Sequence, residues 1–245
     1  MPGARWAWRG SPPRSTWCWV TATSGTDLNR RLLGIFGGTF DPVHHGHLRP
    51  VLEVQQALNM AGMRLVPAKV PPHRPQPRLA ADARLHLLRL AAADYHGFSV
   101  DTRELQRSGP SYMVDTLASL RAESGADDAL CLILGMDAFL GLPTWYRWRE
   151  LERYAHIVVL NRPGSRRPVN GEFRDWLAER ELRTPAGLRE APAGRVWFQP
   201  VTQLDISATS VRRLIAQGRS AQFLMPLACW RLMAREGWYG YPQVG

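Results

Sequence analysis

A loop of glycine and histidine residues, Gly37–His47 (GGTFDPVHHGH), is the part of the sequence best suited to phosphate chemistry. Gly37 and Gly38 have no Cβ in the way of an anion, so backbone N–H groups can approach it. His44 and His47 are three residues apart, so near the start of a helix both rings can face one ligand. Each ring can donate to phosphate oxygens that gain charge as a bond breaks. The loop therefore predicts phosphate binding with transfer chemistry.

Three rival roles for this loop fit its residues less well. Its histidines could ligate a metal, but no nearby cysteine or carboxylate pair completes a ligand set, so we predict no metal held by the protein. The loop is neither the G-x-G-x-x-G of dehydrogenases nor the G-x-x-x-x-G-K-[ST] of P-loop kinases and ATPases. A purely structural turn would account for the two glycines but hardly for the H-x-G-H arrangement that follows them.

A second anion site is indicated much later in the chain, at Ile206–Arg212 (ISATSVR). Ser207 can cap a helix and Thr209 lies in its first turn, so capping alone would explain both hydroxyls. Arg212 adds a guanidinium one turn later, beside a helix N-terminus that itself favours phosphate. Ile206 precedes this helix start. We predict that the helix start and the first loop bind a phosphate chain from opposite sides.

Two further charged candidates follow other predicted strands. Arg74 lies in the proline-rich loop at 70–77 and can meet phosphate oxygens bidentately, although a stiff solvated connection explains the prolines equally well. Gly135 and Asp137 follow an apolar strand, and the carboxylate there could bind a ligand or simply cap the next helix.

Hydroxyl and aromatic residues mark two more positions. Ser111 can cap the helix that runs through Leu120, which accounts for it without a ligand. Aromatic residues in a row usually belong to a core, and we expect this of Trp148. Trp145 is the better candidate for stacking on a flat ligand ring.

The elements that must position these residues alternate along the chain. Buried strands are predicted at Leu32–Phe36, Leu65–Ala68, Phe98–Asp101, Leu130–Leu134, Ile157–Leu160 and Val196–Phe198. Helices are predicted over Leu48–Leu58 with Gly62 as a stop, after a cap at Asp82, after Ser111, and near 209–217 and 226–236. This order predicts an α/β fold with a Rossmann-like, doubly wound and mostly parallel sheet covered by helices on both faces. Ligands of such sheets bind beyond the carboxyl ends of the strands.

Two segments differ from this pattern. Residues 1–30 combine Trp, Arg, Pro and Ser without a period, and lack the long apolar region and cleavage site of a signal peptide. We expect them to form a disordered or non-native leader, and residues 31–240 to form a single domain whose C-terminal helical part lies at about 205–240. Residues 163–194 are polar and punctuated by Pro and Gly, so we expect a surface excursion there.

Composition narrows the class of protein. The formal net charge is +10, but the arginines are scattered and Lys69 is the sole lysine, so we predict no nucleic-acid partner. No apolar run approaches the roughly 20 residues that span a bilayer. The widely spaced Cys18, Cys131 and Cys229 indicate neither a disulfide framework nor a cysteine zinc site, which favours the cytoplasm.

The motifs together resemble a known family. GGTFDPVHHGH is similar to the signature of the HxGH-type nucleotidyltransferase superfamily, and within it the chain resembles the bacterial nicotinate-nucleotide adenylyltransferases from about Leu33 to Tyr239. The supporting motifs follow in order: VPAKVPPHRP at 66–75, PSYMVDTL at 110–117, GMDAFLGLPTWYRW at 135–148, ISATSVR at 206–212 and MPLACWRLMAREGWY at 225–239. H-x-G-H alone specifies only the superfamily, whereas the ordered set is far more specific.

The resemblance implies roles for residues outside the first loop. The helix start at Tyr112 and Met113 would bind nicotinate mononucleotide through backbone N–H groups. Most members have threonine where Met113 stands, so a hydroxyl contact would be lost and a backbone contact kept. Trp145 would stack on the pyridine ring, the N–H of Tyr146 would bind the nicotinate carboxylate, and Asp137 would accept from the adenosine.

The implied reaction joins ATP and nicotinate mononucleotide to give nicotinate adenine dinucleotide and pyrophosphate. Thr39, His44 and His47 would hold the α-phosphate region. The groups that assist the departing phosphates would be Arg74, Ser207, Thr209 and Arg212. Mg²⁺ would bridge the phosphates mostly through water, because the sequence has no dedicated carboxylate cage.

Two alternatives remain open. Another member of the superfamily, such as a phosphopantetheine adenylyltransferase or a cytidylyltransferase, shares the first loop and a late Ser/Thr motif but does not account for PPHR together with TWY. A non-catalytic nucleotide sensor or RNA-binding protein would use the positive charge and bind without releasing pyrophosphate.

Overall fold

A computed structural model describes residues 30–70, 76–125, 128–161 and 171–242. A parallel sheet runs through these ranges. Its strands are β1 (Arg31–Gly38), β2 (Gly62–Pro67), β3 (Phe98–Val100), β4 (Asp128–Gly135), β5 (His156–Asn161) and β6 (Val196–Pro200). The strand order is β3-β2-β1-β4-β5-β6, and every neighbouring pair is parallel.

Helices connect successive strands. They are α1 (His45–Ala57), α2 (Ala81–Ala93), α3 (Arg103–Gln106), α4 (Met113–Glu123), α5 (Met136–Leu140), α6 (Leu151–Tyr154), α7 (Gly171–Ala178), α8 (Ala208–Ala216) and α9 (Leu227–Arg235). Short 3-10 segments lie at Leu142–Thr144, Trp148–Glu150, Pro185–Arg189 and Trp238–Gly240. In the part of the chain that the structure describes, no helix is long and apolar enough to cross a membrane.

The side chains of β4 show why the sheet is covered on both faces. Ala129, Cys131 and Ile133 belong to a hydrophobic cluster built with α1, α2, α8 and α9, whereas the alternate leucines of the strand face a second cluster built with α4 to α7. A strand buried on both sides must be apolar throughout, as its sequence DALCLILG largely is. The predicted Rossmann-like, doubly wound α/β fold is therefore confirmed.

The order of the strands reverses between β1 and β4. The chain builds outward from β1 to β2 and β3, then crosses back to place β4 on the other side of β1 and continues to β5 and β6. Such a switch point leaves a crevice at the carboxyl ends of the two central strands, which is where ligands bind in this architecture. Gly38 ends β1 and Gly135 ends β4, so both predicted turns lie at this edge.

Two predicted helix caps are wrong. Helix α4 begins at Met113 with Tyr112 in the capping position, and the Ser111 hydroxyl instead accepts a hydrogen bond from the Lys69 backbone N–H at 3.0 Å. Asp82 lies inside the first turn of α2, whose capping position is held by Ala80. In each case the helix starts one or two residues away from the position that the side chain suggested.

Two other boundaries also differ from expectation. Helix α1 ends at Ala57, the left-handed Asn59 (φ 47°) turns the chain, and Gly62 opens β2 instead of stopping the helix. Within the predicted surface excursion at 163–194, helix α7 buries Trp176 and Leu177 in the second cluster, so this part is not only surface. Residues 162–170 lie outside the described residues.

Candidate active site

The turn after β1 is closely packed beneath its glycines. Phe40 takes a left-handed backbone conformation (φ 49°) and its ring lies directly under Gly38, where an added Cβ would come within 3.0 Å of the ring. The Gly38 carbonyl accepts a hydrogen bond from the Ala68 N–H at 2.9 Å, which ties the turn to the end of β2. A side chain at Gly38 would therefore fit only if the Phe40 ring moved by a few tenths of an ångström.

His44 and His47 face each other at the start of α1. His44 occupies the capping position of the helix, and its ring stacks on that of His47 with 3.7 Å between centroids and 26° between planes. The expectation that both rings share one side of the helix start is confirmed. His44 is buried, and burial, with a smaller effect from neighbouring His45, lowers its pKa to about 4. Its imidazole is therefore neutral near pH 7 in the free protein.

Gly46 explains the small residue between the two histidines. A Cβ at this position would lie 2.5 Å from the Ile206 carbonyl oxygen and 2.9 Å from the His44 Nδ1 atom. The segment before α8 therefore crosses the start of α1 at close range, and only glycine leaves room for it. In this way the two anion sites predicted from separate halves of the sequence come together.

The start of α8 is a formed helix N-terminus. The Ser207 hydroxyl accepts from the Ser210 N–H and the Ser210 hydroxyl accepts from the Ser207 N–H, both at 3.1 Å, so the predicted cap is confirmed as a reciprocal capping box. The Arg212 guanidinium donates to the Asp41 backbone oxygen at 2.6 Å and to the Thr209 hydroxyl at 3.2 Å. Arg212 thus joins this helix directly to the first loop.

The candidate residues for the mononucleotide gather around the start of α4. The rings of Tyr112 and Tyr146 lie 4.5 Å apart at 34°, and half of the Tyr146 surface is exposed. The methyl group of Met113 covers Gly37, since a Cβ built there would meet it at 2.5 Å. Trp145 is partly buried against the second hydrophobic cluster, which leaves only part of its ring for a ligand.

Three other candidates are less closely tied to this group. Gly135 holds the capping position of α5, and Asp137 is exposed in the first turn without capping that helix. Asp137 therefore lies at the correct edge of the sheet with its carboxylate in solvent. Arg74 falls within residues 71–75, outside the described residues, and its role stays a prediction.

Arg84 is a buried arginine that was not predicted from the sequence. Only 1% of its surface is exposed, and its guanidinium donates to the Thr39 oxygen at 2.6 Å and to the Ala68 oxygen at 2.8 Å. It therefore fixes the turn after β1 against the end of β2. The available signal was an arginine in line with Leu87 and Leu88, on the apolar face of α2.

Asp41 is a second residue whose role was not predicted, although it lies in the first loop. Its buried carboxylate accepts hydrogen bonds from the N–H groups of Arg78 at 2.8 Å and Leu79 at 3.2 Å. Its oxygens are thus used to hold the chain that follows residues 71–75. The carboxylate is a structural acceptor and not a spare metal ligand.

The chain belongs to the cytidylyltransferase-like family, because the model of that family matches residues 35–214, and the sheet topology agrees with this class of nucleotidyltransferases. The chain is 52% identical over 214 residues to a Halorhodospira halophila protein named "Probable nicotinate-nucleotide adenylyltransferase", a match covering 87% of this chain and 98% of that protein. It is 50% identical to a protein of the same name from Methylococcus capsulatus, covering 85% and 99%. The chain belongs to the nicotinate-nucleotide adenylyltransferase family.

Solved structures agree on the fold. Plasmodium falciparum nicotinic acid mononucleotide adenylyltransferase complexed with NaAD superposes with a TM-score of 0.64 at 11% identity, covering 87% of this chain and all of that one. A putative nicotinate-nucleotide adenylyltransferase from Vibrio parahaemolyticus gives 0.56 at 14% identity, covering 87% and 98%. At such identities these likenesses concern the fold alone.

Proposed function

We propose that this chain joins ATP and nicotinate mononucleotide to give nicotinate adenine dinucleotide and pyrophosphate, a step of NAD biosynthesis. The names of the relatives support the reaction, because they match nearly their whole length at about half identity. The single observation in the structure that supports it most is the stacked pair His44 and His47, set against the start of α8. Two anion-binding helix starts at one crevice suit a polyphosphate better than a single phosphate.

The chemistry needs alignment and charge stabilisation. A phosphate oxygen of the mononucleotide, already ionised near neutral pH, attacks the α-phosphorus of ATP; the bond from that phosphorus to the bridging oxygen breaks and pyrophosphate leaves. No general base is needed to form this nucleophile. His44, His47 and Thr39 would donate to the oxygens around the α-phosphorus, where negative charge is redistributed as the bonds exchange.

The departing phosphates would be held by the start of α8. The Thr209 hydroxyl and the Arg212 guanidinium lie there, with Ser207 setting the free N–H groups of the first turn. Arg74 would assist the same phosphates. Gly37 and Gly38 would offer backbone N–H groups to the triphosphate, and the Arg212 guanidinium would stabilise the charge of pyrophosphate.

The mononucleotide would bind at the start of α4. The backbone N–H groups of Tyr112 and Met113, at the start of a helix, suit its acidic groups, and the ring of Trp145 with the adjacent N–H of Tyr146 suits a pyridine carboxylate. Gly135 and Asp137, at the end of β4, would face the adenosine. Both substrates would then lie at the edge of the sheet where the strand order reverses between β1 and β4.

We propose that the triphosphate enters with Mg²⁺ bound to it. Asp41, the acidic residue in the first loop, already has hydrogen bonds at both carboxylate oxygens, so the ion would be held by phosphate oxygens and water. It would neutralise part of the charge on the departing group. Because Cys131 and Cys229 are buried free thiols, we also propose a cytoplasmic location.

Pyrophosphate release with ATP tests the reaction. We expect release with nicotinate mononucleotide, and less with nicotinamide mononucleotide, with pantetheine phosphate, or with CTP in place of ATP. Preference for pantetheine phosphate or CTP would assign the chain to another reaction of the superfamily. Tight ATP binding without pyrophosphate release from any acceptor would indicate a nucleotide sensor.

A further inference from the structure

Asp41 joins segments that are far apart in the sequence. Its carboxylate accepts from the N–H groups of Arg78 and Leu79, at 2.8 and 3.2 Å, which begin the approach to α2. Its backbone oxygen accepts from the Arg212 guanidinium at 2.6 Å. Asp41 therefore ties both the segment before α2 and the side chain of Arg212 to the first loop.

Tyr239, in the 3-10 segment Trp238–Gly240, also makes a hydrogen bond to Asp41. Its hydroxyl donates to the Asp41 Oδ1 atom at 2.6 Å, and its side chain is largely buried. Burial and the neighbouring carboxylate raise the pKa of the phenol, so it remains a donor at any physiological pH. Its backbone is left-handed (φ 59°), a conformation that a tyrosine keeps only where surrounding contacts fix it.

The contacts of Arg212 make the position of its guanidinium depend on Asp41. One guanidinium nitrogen donates to the Asp41 backbone oxygen and lies 3.9 Å from the Asp41 carboxylate, and the other donates to Thr209. A shift of Asp41 therefore moves the guanidinium. The Tyr239 hydroxyl, through its hydrogen bond to the Asp41 carboxylate, limits that shift.

We propose that Tyr239 is a positioning residue for the triphosphate: through its hydrogen bond to Asp41 it holds Arg212 in the place where the departing phosphates bind. The proposal rests on the function proposed above. The proposal gives the segment around Tyr239 a part in ATP binding, although this segment is far from the first loop in the sequence. It assigns no such part in binding the mononucleotide, whose proposed residues make no hydrogen bond to Asp41 or Tyr239 within the described ranges.

Tyr239→Phe is the test, because it removes one oxygen and keeps the ring. We expect KM for ATP to rise about tenfold, the effect of a lost hydrogen bond to a charged group, while KM for nicotinate mononucleotide stays within about twofold. The matched control is Tyr241→Phe, two residues later, whose ring packs edge-on against Trp230. It should leave both constants unchanged. A merely structural role for Tyr239 would raise both constants together, and that result would overturn the proposal.

A double-mutant comparison identifies the route of the effect. Asp41→Asn keeps the shape of the side chain and removes its charge, so it should raise KM for ATP at least as much as Tyr239→Phe. In the double variant the tyrosine change should then add little, because its partner is already altered. Full additivity would show that Tyr239 does not act through Asp41. Should Tyr239→Phe fail to fold, Asp41→Asn carries the same expectation for the two KM values.

Calorimetric titration with ATP alone separates this proposal from the proposed function. Kd for ATP should rise in Tyr239→Phe by the same factor as KM, even in the absence of any acceptor. A wild-type protein that binds ATP but releases no pyrophosphate would refute the function and leave this comparison intact. An unchanged Kd for ATP in the variant would refute the positioning role while the function stands.

Discussion

At the residue scale, the first loop combines a buried neutral histidine with a second ring stacked on it. The low pKa of His44 arises mainly because the protein excludes water from its ring. A bound phosphate would favour the charged form, since an opposite charge nearby raises the pKa of an imidazole. In the proposed reaction, a bound phosphate would therefore make His44 a better hydrogen-bond donor.

His47→Ala should lower kcat by about 10²–10³, the usual cost of removing one charge-stabilising donor, while the fold persists. The ring lies against Phe40 and His44, which are held by other contacts, so unfolding is not expected. The assay is steady-state pyrophosphate release, with circular dichroism to follow the fold. His86→Ala, an exposed histidine on α2, is the matched control and should keep wild-type turnover. A His47→Ala enzyme with near wild-type kcat would remove His47 from the mechanism.

Individual residues differ in how far the sequence could predict them. His44 and His47 were predictable because two histidines at this spacing beside paired glycines seldom serve a purely structural turn. Arg84 was missed because its partners are backbone carbonyls of distant segments, which carry no signal in the sequence around it. The contact of Met113 with Gly37 depends on how α4 packs against the sheet, and local pattern does not determine that.

At the element scale, the start of α8 has a stabilising role and a proposed binding role, which two substitutions of Ser207 can separate. Ser207→Ala removes the cap and should cost about 1 kcal/mol of unfolding free energy. Ser207→Asp supplies an equally good cap but adds negative charge beside the proposed phosphates. We expect the Asp variant to keep its stability in urea melts and to raise KM for ATP more than the Ala variant does. Equal KM values in the two variants would reduce Ser207 to a cap.

His156, the first residue of β5, should make the stability of the fold depend on pH. Its Nε2 atom pairs with the Ala191 carbonyl oxygen at 2.9 Å, and its Nδ1 atom accepts from the Arg195 N–H at 3.0 Å. A second ring proton would lie on Nδ1 and point at that N–H group, which is itself a donor. Burial is the largest cause that lowers its pKa from 6.5 to about 4. The unfolded chain therefore binds more protons below pH 6.5, and stability falls as the pH falls toward 4.

The expected loss from His156 is roughly 2 kcal/mol of unfolding free energy between about pH 7 and pH 5. Urea unfolding at the two pH values measures the wild-type difference, to which the similarly shifted His44 also contributes. His156→Gln does not titrate, so its difference should be smaller by the His156 contribution. The same pH difference in wild type and variant would show that His156 is not responsible.

Most elements of the sheet were predictable, while their ends and caps were not. The strands are apolar on both faces and could be located from short buried runs, as β4 illustrates. Ser111 does not cap α4 because its hydroxyl accepts a hydrogen bond from the backbone N–H of Lys69, which follows β2. The region at 163–194 was misjudged because Trp176 and Leu177 lie among polar residues, and burial there depends on packing against β5 and β6.

At the scale of the whole molecule, part of the arginine content has a structural role. Arg84, Arg121 and Arg189 each donate to several backbone carbonyls of separate segments, as when Arg121 joins the oxygens of Tyr154 and Pro192, both at 2.8 Å. A planar guanidinium with five donors suits this use better than an ammonium group. Carbonyls are neutral, so these bonds leave the formal charge of +10 in place.

That charge should assist anionic substrates without making the protein a nucleic-acid binder. We expect kcat/KM for ATP to fall moderately between about 50 and 200 mM salt, because long-range attraction is screened, while kcat changes little. A fluorescent single-stranded RNA should show no saturable binding at the higher salt, measured by anisotropy, and should not compete with ATP. Submicromolar RNA binding under those conditions would contradict our prediction that the protein has no nucleic-acid partner.

The central position of β1 has a consequence for synthesis on the ribosome. On one edge β1 pairs with β2, the next strand to be synthesised, and on the other edge it pairs with β4. The paired residues Arg31 and Asp128 are 97 residues apart in the sequence, so the second edge is completed much later. At ordinary translation rates of about 5–20 residues per second, that edge waits on the order of ten seconds for its partner. The strand order thus imposes a delay on the nascent chain, during which an apolar strand edge is open to chaperones and to other unfinished chains.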